Sequence, residues 1–387
     1  MTSPYKGVFS LFLAHLVTDI YTPVITAILP LFISVFGFSY FMAGLLVTAF
    51  NLTSSLTQPV FGWLSDEKGF EVHVSSSVLI SAVFISLMGV ISNYPLLLFC
   101  AAMAATGHAC FHPNALSQVS RLAVDTNRGR ITSIFVVGGN IGYALGPLMA
   151  GGVVFLLGLK GLLLLVIPAV IMAVVLRRII PPASKKRSVP RTGTHGEGFL
   201  SVIKPIRTLF LASTFRAWAV FSAIAFFPPF LMERGLDIFT ANLLVTLTLL
   251  AGVAGQLVGG ELSDRYGRKE FVLAGLVLSI PALAAFLMTE GVISVLFLLA
   301  FGFFLWSSFS VTVAMSHEMV PRSVGIASGM MIGVAIGAGG VGVAFSGMIA
   351  DSYSLISALA TIPVLILLSA VLMSRVRYPW KLLAGRQ

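Results

Sequence analysis

Apolar residues run through this chain in long blocks separated by short polar stretches, and block length is the first clue to its setting. A bilayer core about 30 Å thick takes about 20 consecutive apolar residues per crossing helix, because every backbone polar group must be satisfied within the span. Twelve blocks qualify. The first six are Val8 to Phe36, Phe41 to Trp63, Val74 to Ile91, Leu96 to Val119, Ile131 to Leu157 and Leu162 to Leu176. After a polar break come Leu209 to Met232, Ile238 to Val258, Phe271 to Met288, Val292 to Met315, Val324 to Ile349 and Leu355 to Met373. The pattern predicts an all-α membrane protein with twelve transmembrane helices.

The central break, Pro181 to Lys204, is rich in Pro, Ser, Gly, Lys and Arg, with too little apolar content to cross or to pack. It reads as a linker. The expected organisation is a six-helix bundle over residues 1–180, a cytoplasmic linker over 181–204, and a second six-helix bundle with a short tail over 205–387. The halves also echo one another. Gly62-Trp-Leu-Ser-Asp66-Glu-Lys-Gly69 recurs as Gly260-Glu-Leu-Ser-Asp264-Arg-Tyr-Gly267, offset by 198 residues at all three marker positions. Both copies follow the second helix of their half and are expected in matching short cytoplasmic loops. Parallel repeats of this kind are a transporter architecture.

Composition supports the membrane reading. Hydrophobic residues make up 57% of the 387, and charged residues only 10%, against roughly 25% in soluble domains. A net charge of +10 would by itself suggest nucleic acid, but its distribution argues against that partner. All but three of the 24 Lys and Arg fall on one side of the span map: Lys6, Lys68, Arg121, Arg128, Arg130, the basic residues from Arg177 to Arg207, Arg265, Arg268, Lys269, Arg322 and the tail. Lys160 and Arg234 fall opposite, and Arg216 lies inside a span. The positive-inside rule then puts both termini in the cytoplasm. The first block is too long for a signal-peptide core and carries His15 and Asp19, so it is expected to be retained. Cys100 and Cys110 share the fourth block, where ten residues of helix hold them about 15 Å apart. No disulfide is expected.

On these residues the sequence resembles the major facilitator superfamily along nearly its whole length, which implies two pseudo-symmetric six-helix bundles. The family's signature loop stands complete in the second half, from Gly260 through Asp264, Gly267 and Arg268 to Lys269. The first copy keeps Gly62, Asp66 and Gly69 but has Glu67 and Phe70-Glu71 where basic residues are usual. In the fifth block, Gly142-Tyr-Ala-Leu-Gly146-Pro147-Leu-Met-Ala-Gly151-Gly152 is similar to the glycine-proline pattern of drug and proton antiporters. Such glycines let helices approach closely, and the proline interrupts hydrogen bonding. His15-x-x-x-Asp19 and Ala109-Cys-Phe-His112-Pro113 look like the fosmidomycin-resistance branch. The resemblance implies a bacterial or archaeal inner-membrane exporter driven by the proton gradient, monomeric, with no cofactor or metal.

Ionisable side chains at bilayer depth are costly, so each is a functional candidate. His15 and Asp19 lie four apart and share a helix face, as do His108 and His112 in the fourth block. These four are the proton-coupling candidates. An unperturbed imidazole titrates near pH 6.5, which makes the histidines rivals of Asp19 as the carrier. Arg216 is the lone basic residue inside a span of the second half, and the 198-residue offset equates it with Thr18. It is therefore expected at the depth of Asp19, either binding an anionic substrate or pairing statically with the acid, whose proton could be exchanged as the guanidinium approaches or leaves. Asn51, Asn114 and Asn140 are further substrate-binding candidates, each equally able to bond a neighbouring helix. Asp66 is expected to cap or abut a helix end and help close the cytoplasmic side.

The expected activity is proton-coupled efflux of a small amphiphilic or anionic compound by alternating access. Its rival is proton-coupled uptake of an organic anion on the same residues. An enzyme is disfavoured: there is no nucleophile elbow, no Cys/His zinc spacing and no phosphate-binding glycine loop.

Overall fold

The computed structural model describes residues 4–68, 72–122, 128–180 and 199–381, and all regular structure among them is helical. Among these residues eleven segments are long and apolar enough to cross a membrane, and a shorter apolar helix, Val74–Leu87, stands where the third block was read. In chain order the helices are α1 (Pro4–Ile20), α2 (Val24–Phe36), α3 (Tyr40–Lys68), α4 (Val74–Leu87), α5 (Tyr94–Leu122) and α6 (Arg128–Leu157). A 3-10 turn, Leu159–Leu165, leads into α7 (Val166–Ile179). There follow α8 (Phe199–Glu233), α9 (Ile238–Tyr266), α10 (Arg268–Met288), α11 (Gly291–Met319), α12 (Val324–Ser328), α13 (Ala335–Ser352) and α14 (Leu355–Ser374).

Two predicted spans are interrupted. The first divides at Tyr21-Thr22-Pro23, because Pro23 has no N–H to give and its ring would strike the carbonyl of Asp19, four residues back. Thr22 N–H still reaches Asp19 O at 3.2 Å, closing α1 with a tight turn two residues short of the proline. The eleventh contains a widened π turn, Gly329–Val334, between α12 and α13. Such turns recur at functional positions in membrane helices. One further boundary differs from the sequence reading: residues 199–204, read as linker, begin α8, because the apolar Phe199, Leu200, Val202 and Ile203 continue its pattern backward. The linker's residues 181–198 lie outside the described residues.

Packing divides the chain into two compact units. One comprises Met1–Arg191 with Phe227–Thr246, the other Thr192–Phe226 with Leu247–Gln387. In the first, α6 lies against α1 along a stair of glycines. A side chain at Gly138, Gly142 or Gly146 would collide with the carbonyl oxygens of Phe12, Leu16 and Ile20 in turn, one helical turn apart on each helix. The two backbones are thus in direct contact. Tyr21 OH donates to Leu165 O at 2.7 Å, fastening the break after α1 to the 3-10 turn that leads into α7.

In the second unit, Gly339 and Gly342 of α13 admit Ala217 and the Trp218 indole of α8. Trp218 Nε1–H donates to Ser346 Oγ at 2.9 Å, and Ser369 Oγ–H to Ala212 O at 2.8 Å. Outward-facing side chains such as Phe99, Leu156, Ile171 and Val364 are exposed and apolar, as hydrocarbon requires.

Candidate functional site

Asp19 lies in the last turn of α1, immediately before the break, and three imidazoles from two helices converge on it. His15, one turn earlier on the same face, places Nε2 at 3.2 Å from Asp19 Oδ2. His108 and His112 of α5 place their Nε2 atoms at 3.5 and 3.7 Å from Asp19 Oδ1, and neither closes a hydrogen bond to it. The two α5 imidazoles approach each other at 2.9 Å between Nε2 atoms. Pro113 sits within α5 directly after His112. Asp19 and all three histidines thus form one buried or largely buried cluster inside the first unit.

The surrounding hydrogen bonds constrain its protons. A backbone carbonyl only accepts, so the 2.7 Å contact between His15 Nδ1 and Phe135 O is an N–H donated to that carbonyl. A neutral His15 therefore turns the bare lone pair of Nε2 toward Asp19 Oδ2. Two acceptors at 3.2 Å repel, and the contact becomes a hydrogen bond only when a further proton sits on one of them. The same holds between His108 and His112, where one Nε2 must donate. Ser54 Oγ, on α3, meets His108 Nδ1 at 3.0 Å and fixes that ring. The Phe135 ring stacks on His15 with centroids 4.1 Å apart. The chemistry such a cluster offers is proton storage and exchange, or capture of a cation: His15, Asp19 and His112 each present a ligand atom within 4.8 Å of the others.

Three participants were not singled out from the sequence: Ser54, the Phe135 carbonyl and Gly139. A side chain at Gly139 would run into His15 Nε2 and lie 2.7 Å from Asp19 Oδ2. The spacing of Gly138, Gly142 and Gly146 was a legible signal that α6 presents a bare face to a neighbour; which neighbour, and what it carries, was not.

In the second unit Arg216 is 5% exposed, its guanidinium 5.3 Å from the Phe309 ring of α11. Its Nε has no hydrogen-bond partner among the described residues, and neither has Ser213 Oγ one turn earlier on α8. A buried guanidinium without a carboxylate is expensive, and an anion is the complement it lacks. The asparagines are mostly committed locally. Asn51 Nδ2 donates to Val47 O at 3.0 Å, and Asn114 Nδ2 to Val72 O and Cys110 O, both at 2.9 Å. Asn140 is half-buried on α6.

The duplicated motif departs from the expected loops. Gly62 and Asp66 belong to α3, and Gly260 and Asp264 to α9, because no residue between them breaks the helix. Side chains at Gly62 and Gly260 would meet nothing within 4 Å. The Asp66 side chain and Gly69 lie outside the described residues, so the cap expected of Asp66 does too.

In the second copy, Gly267 ends α9 at φ 108°, a conformation that favours glycine. Arg268 then reaches Asp264 at 3.2 Å and Glu318 of α11 at 2.8 Å. The tail straps over this loop. Lys269, 3% exposed, donates to Val376 O at 2.8 Å beneath the Trp380 ring, Tyr378 OH donates to Glu318, and Lys381 to Asp264 O. Of the fifth-span motif, Gly142 and Gly146 serve the α1 contact, and Gly151 lies against Asn242, which itself donates to Ala27 O at 3.1 Å.

Repeated helical halves with ionisable groups held inside their spans define a multi-pass membrane transporter rather than an enzyme. The chain belongs to the Major Facilitator Superfamily, whose family model matches residues 8–237 and 209–383. It is 31% identical over 358 residues to the fosmidomycin resistance protein of Escherichia coli (strain K12), covering 89% of this chain and 86% of that one. It is 28% identical over 385 residues to the uncharacterized MFS-type transporter YfnC of Bacillus subtilis (strain 168), covering 96% and 94%. Its fold matches the crystal structure of a bacterial homolog of the human lysosomal transporter Spinster, inward-facing and occupied, with a TM-score of 0.78 at 20% identity, over 100% of this chain and 98% of that one.

Proposed function

We propose that this transporter exports a small anionic or amphiphilic compound in exchange for protons. The observation that carries the reading is the buried carboxylate of Asp19 ringed by three imidazole Nε2 atoms, with His15 held in the tautomer that demands one more proton at their contact. A group that stores a proton at bilayer depth, next to a helix break, is what coupling to a proton gradient needs. Arg216 supplies the substrate site. Its unsatisfied Nε and the unsatisfied Ser213 hydroxyl favour an anion or the anionic end of an amphiphile. Similarity to a protein named for fosmidomycin resistance supports export of a toxic small molecule.

In this reading residues 1–180 and 205–387 are the two six-helix bundles of an alternating-access cycle, and residues 181–204 link them. The Asp66 and Asp264 motifs, with Arg268, govern closure of the cytoplasmic side. The protein works as a monomer in the cell inner membrane, with both termini in the cytoplasm.

The test is transport in proteoliposomes with a pH gradient of either sign, using compounds picked by a growth screen of expressing cells against toxic compounds. Substrate and protons are expected to move in opposite directions, and Asp19→Asn to abolish the exchange. Movement in the same direction would instead mark an uptake symporter built on the same residues.

A further inference from the structure

We infer that the Asp19 cluster is also a binding site for a late first-row divalent cation of the zinc type, held by His15, Asp19 and His112. The donor set is the first ground. Imidazole nitrogen and carboxylate oxygen are the ligands zinc takes outside thiolate sites, at roughly 2.0–2.2 Å. The second is spacing. A tetrahedron with bonds of that length has edges of about 3.3 Å; His15 Nε2 lies 3.2 Å from Asp19 Oδ2 and His112 Nε2 3.7 Å from Asp19 Oδ1, and the ligand atoms of the three residues all lie within 4.8 Å of one another. Rotation of these three side chains would bring their donors onto one ion, with a fourth position left for water.

The third ground is orientation. A metal-binding histidine almost always donates its other ring N–H to a carbonyl or carboxylate, which fixes its tautomer. His15 does this with Phe135 O, so Nε2 faces inward with its lone pair free. Asp19 Oδ1 is buried and without a hydrogen bond, an acceptor still open to a cation. The inference rests on the reading of the cluster as the coupling site in one respect: a bound ion takes the place of the exchanged proton and arrests transport.

The test uses the full chain in detergent with cobalt(II) chloride as probe. Wild type is expected to show the intense visible bands of tetrahedral cobalt at one ion per chain, bleached by added zinc. Asp19→Asn and His112→Gln should each lose them. His317→Gln should keep them, since His317 bonds Ser328 in the other unit. Zinc should also raise the melting temperature of wild type and leave that of Asp19→Asn unchanged, a readout that needs no transport.

Absence of tetrahedral bands in saturated wild type overturns the inference, as does their survival in both cluster variants. The two readings fail separately. Cobalt bands with no proton movement in proteoliposomes would remove the coupling role and leave the metal site standing. Proton-coupled transport in a wild type that shows no cobalt bands would remove the metal site and leave coupling.

Discussion

Gly139 is the residue whose role is most sharply defined by what it lacks. A methyl group there would occupy the space of the His15 imidazole and press on Asp19, so Gly139→Ala should turn His15 off the Phe135 carbonyl while α6 stays folded. Transport is expected to fall by about tenfold or more, the rate equivalent of roughly 1.4 kcal/mol, with an unchanged elution profile in detergent. Normal transport would mean that the His15 orientation is unimportant. Arg216 makes a second case. Arg216→Lys keeps the charge but loses the planar fork, and should raise the substrate KM more than it lowers the maximal rate, whereas a purely structural arginine would show its loss in melting temperature. At this scale the sequence revealed residue types and little of their company. His15 with Asp19, and His108 with His112, were legible as pairs because spacing of four puts side chains on one helical face. That the pairs meet was not, since α1 and α5 are joined only by tertiary packing. The Phe135 carbonyl was invisible in principle, being a backbone atom whose exposure depends on a neighbour.

At the scale of elements, the apolar blocks located most spans to within about five residues, because a helix in lipid cannot end before its backbone is satisfied; α8 starts at Phe199 and α9 ends at Tyr266, well beyond their blocks, since polar helical turns leave no apolar signal. Block length says nothing about interruptions, however, and the run from Val8 to Phe36 concealed the break at Pro23. The proline was in view; that the chain would turn there, with Thr22 N–H on the Asp19 carbonyl, instead of merely kinking, was not. The glycine stair on α6 carries its own prediction. Gly142→Leu would wedge a side chain against the Leu16 carbonyl and should lower stability by about 1–3 kcal/mol or more, read as a lower melting temperature in detergent. Gly62→Ala, with open space around it, should leave that temperature unaltered.

For the whole molecule, duplication was legible through two short motifs 198 residues apart, and the family assignment follows the same chain of evidence. What the repeat left hidden is how the second copy is fastened. Lys269 is buried under Trp380 with its ammonium on the Val376 carbonyl, so the tail secures the helix ends that bear Arg268 and Glu318. Trp380→Ala removes a cation–π contact of about 1 kcal/mol. It should lower the melting temperature of the full chain and make Lys269 reactive toward amine reagents; an inert Lys269 would show that the tail seals nothing.

The stair of glycines has a mechanical corollary. Helices whose backbones touch have no slack between them, so whatever tilts α6 carries α1, and with it Asp19 and His15, as freight on a rigid beam. His108 and His112 ride on α5, outside that beam, so a tilt of α6 would register as a change in their reach to Asp19.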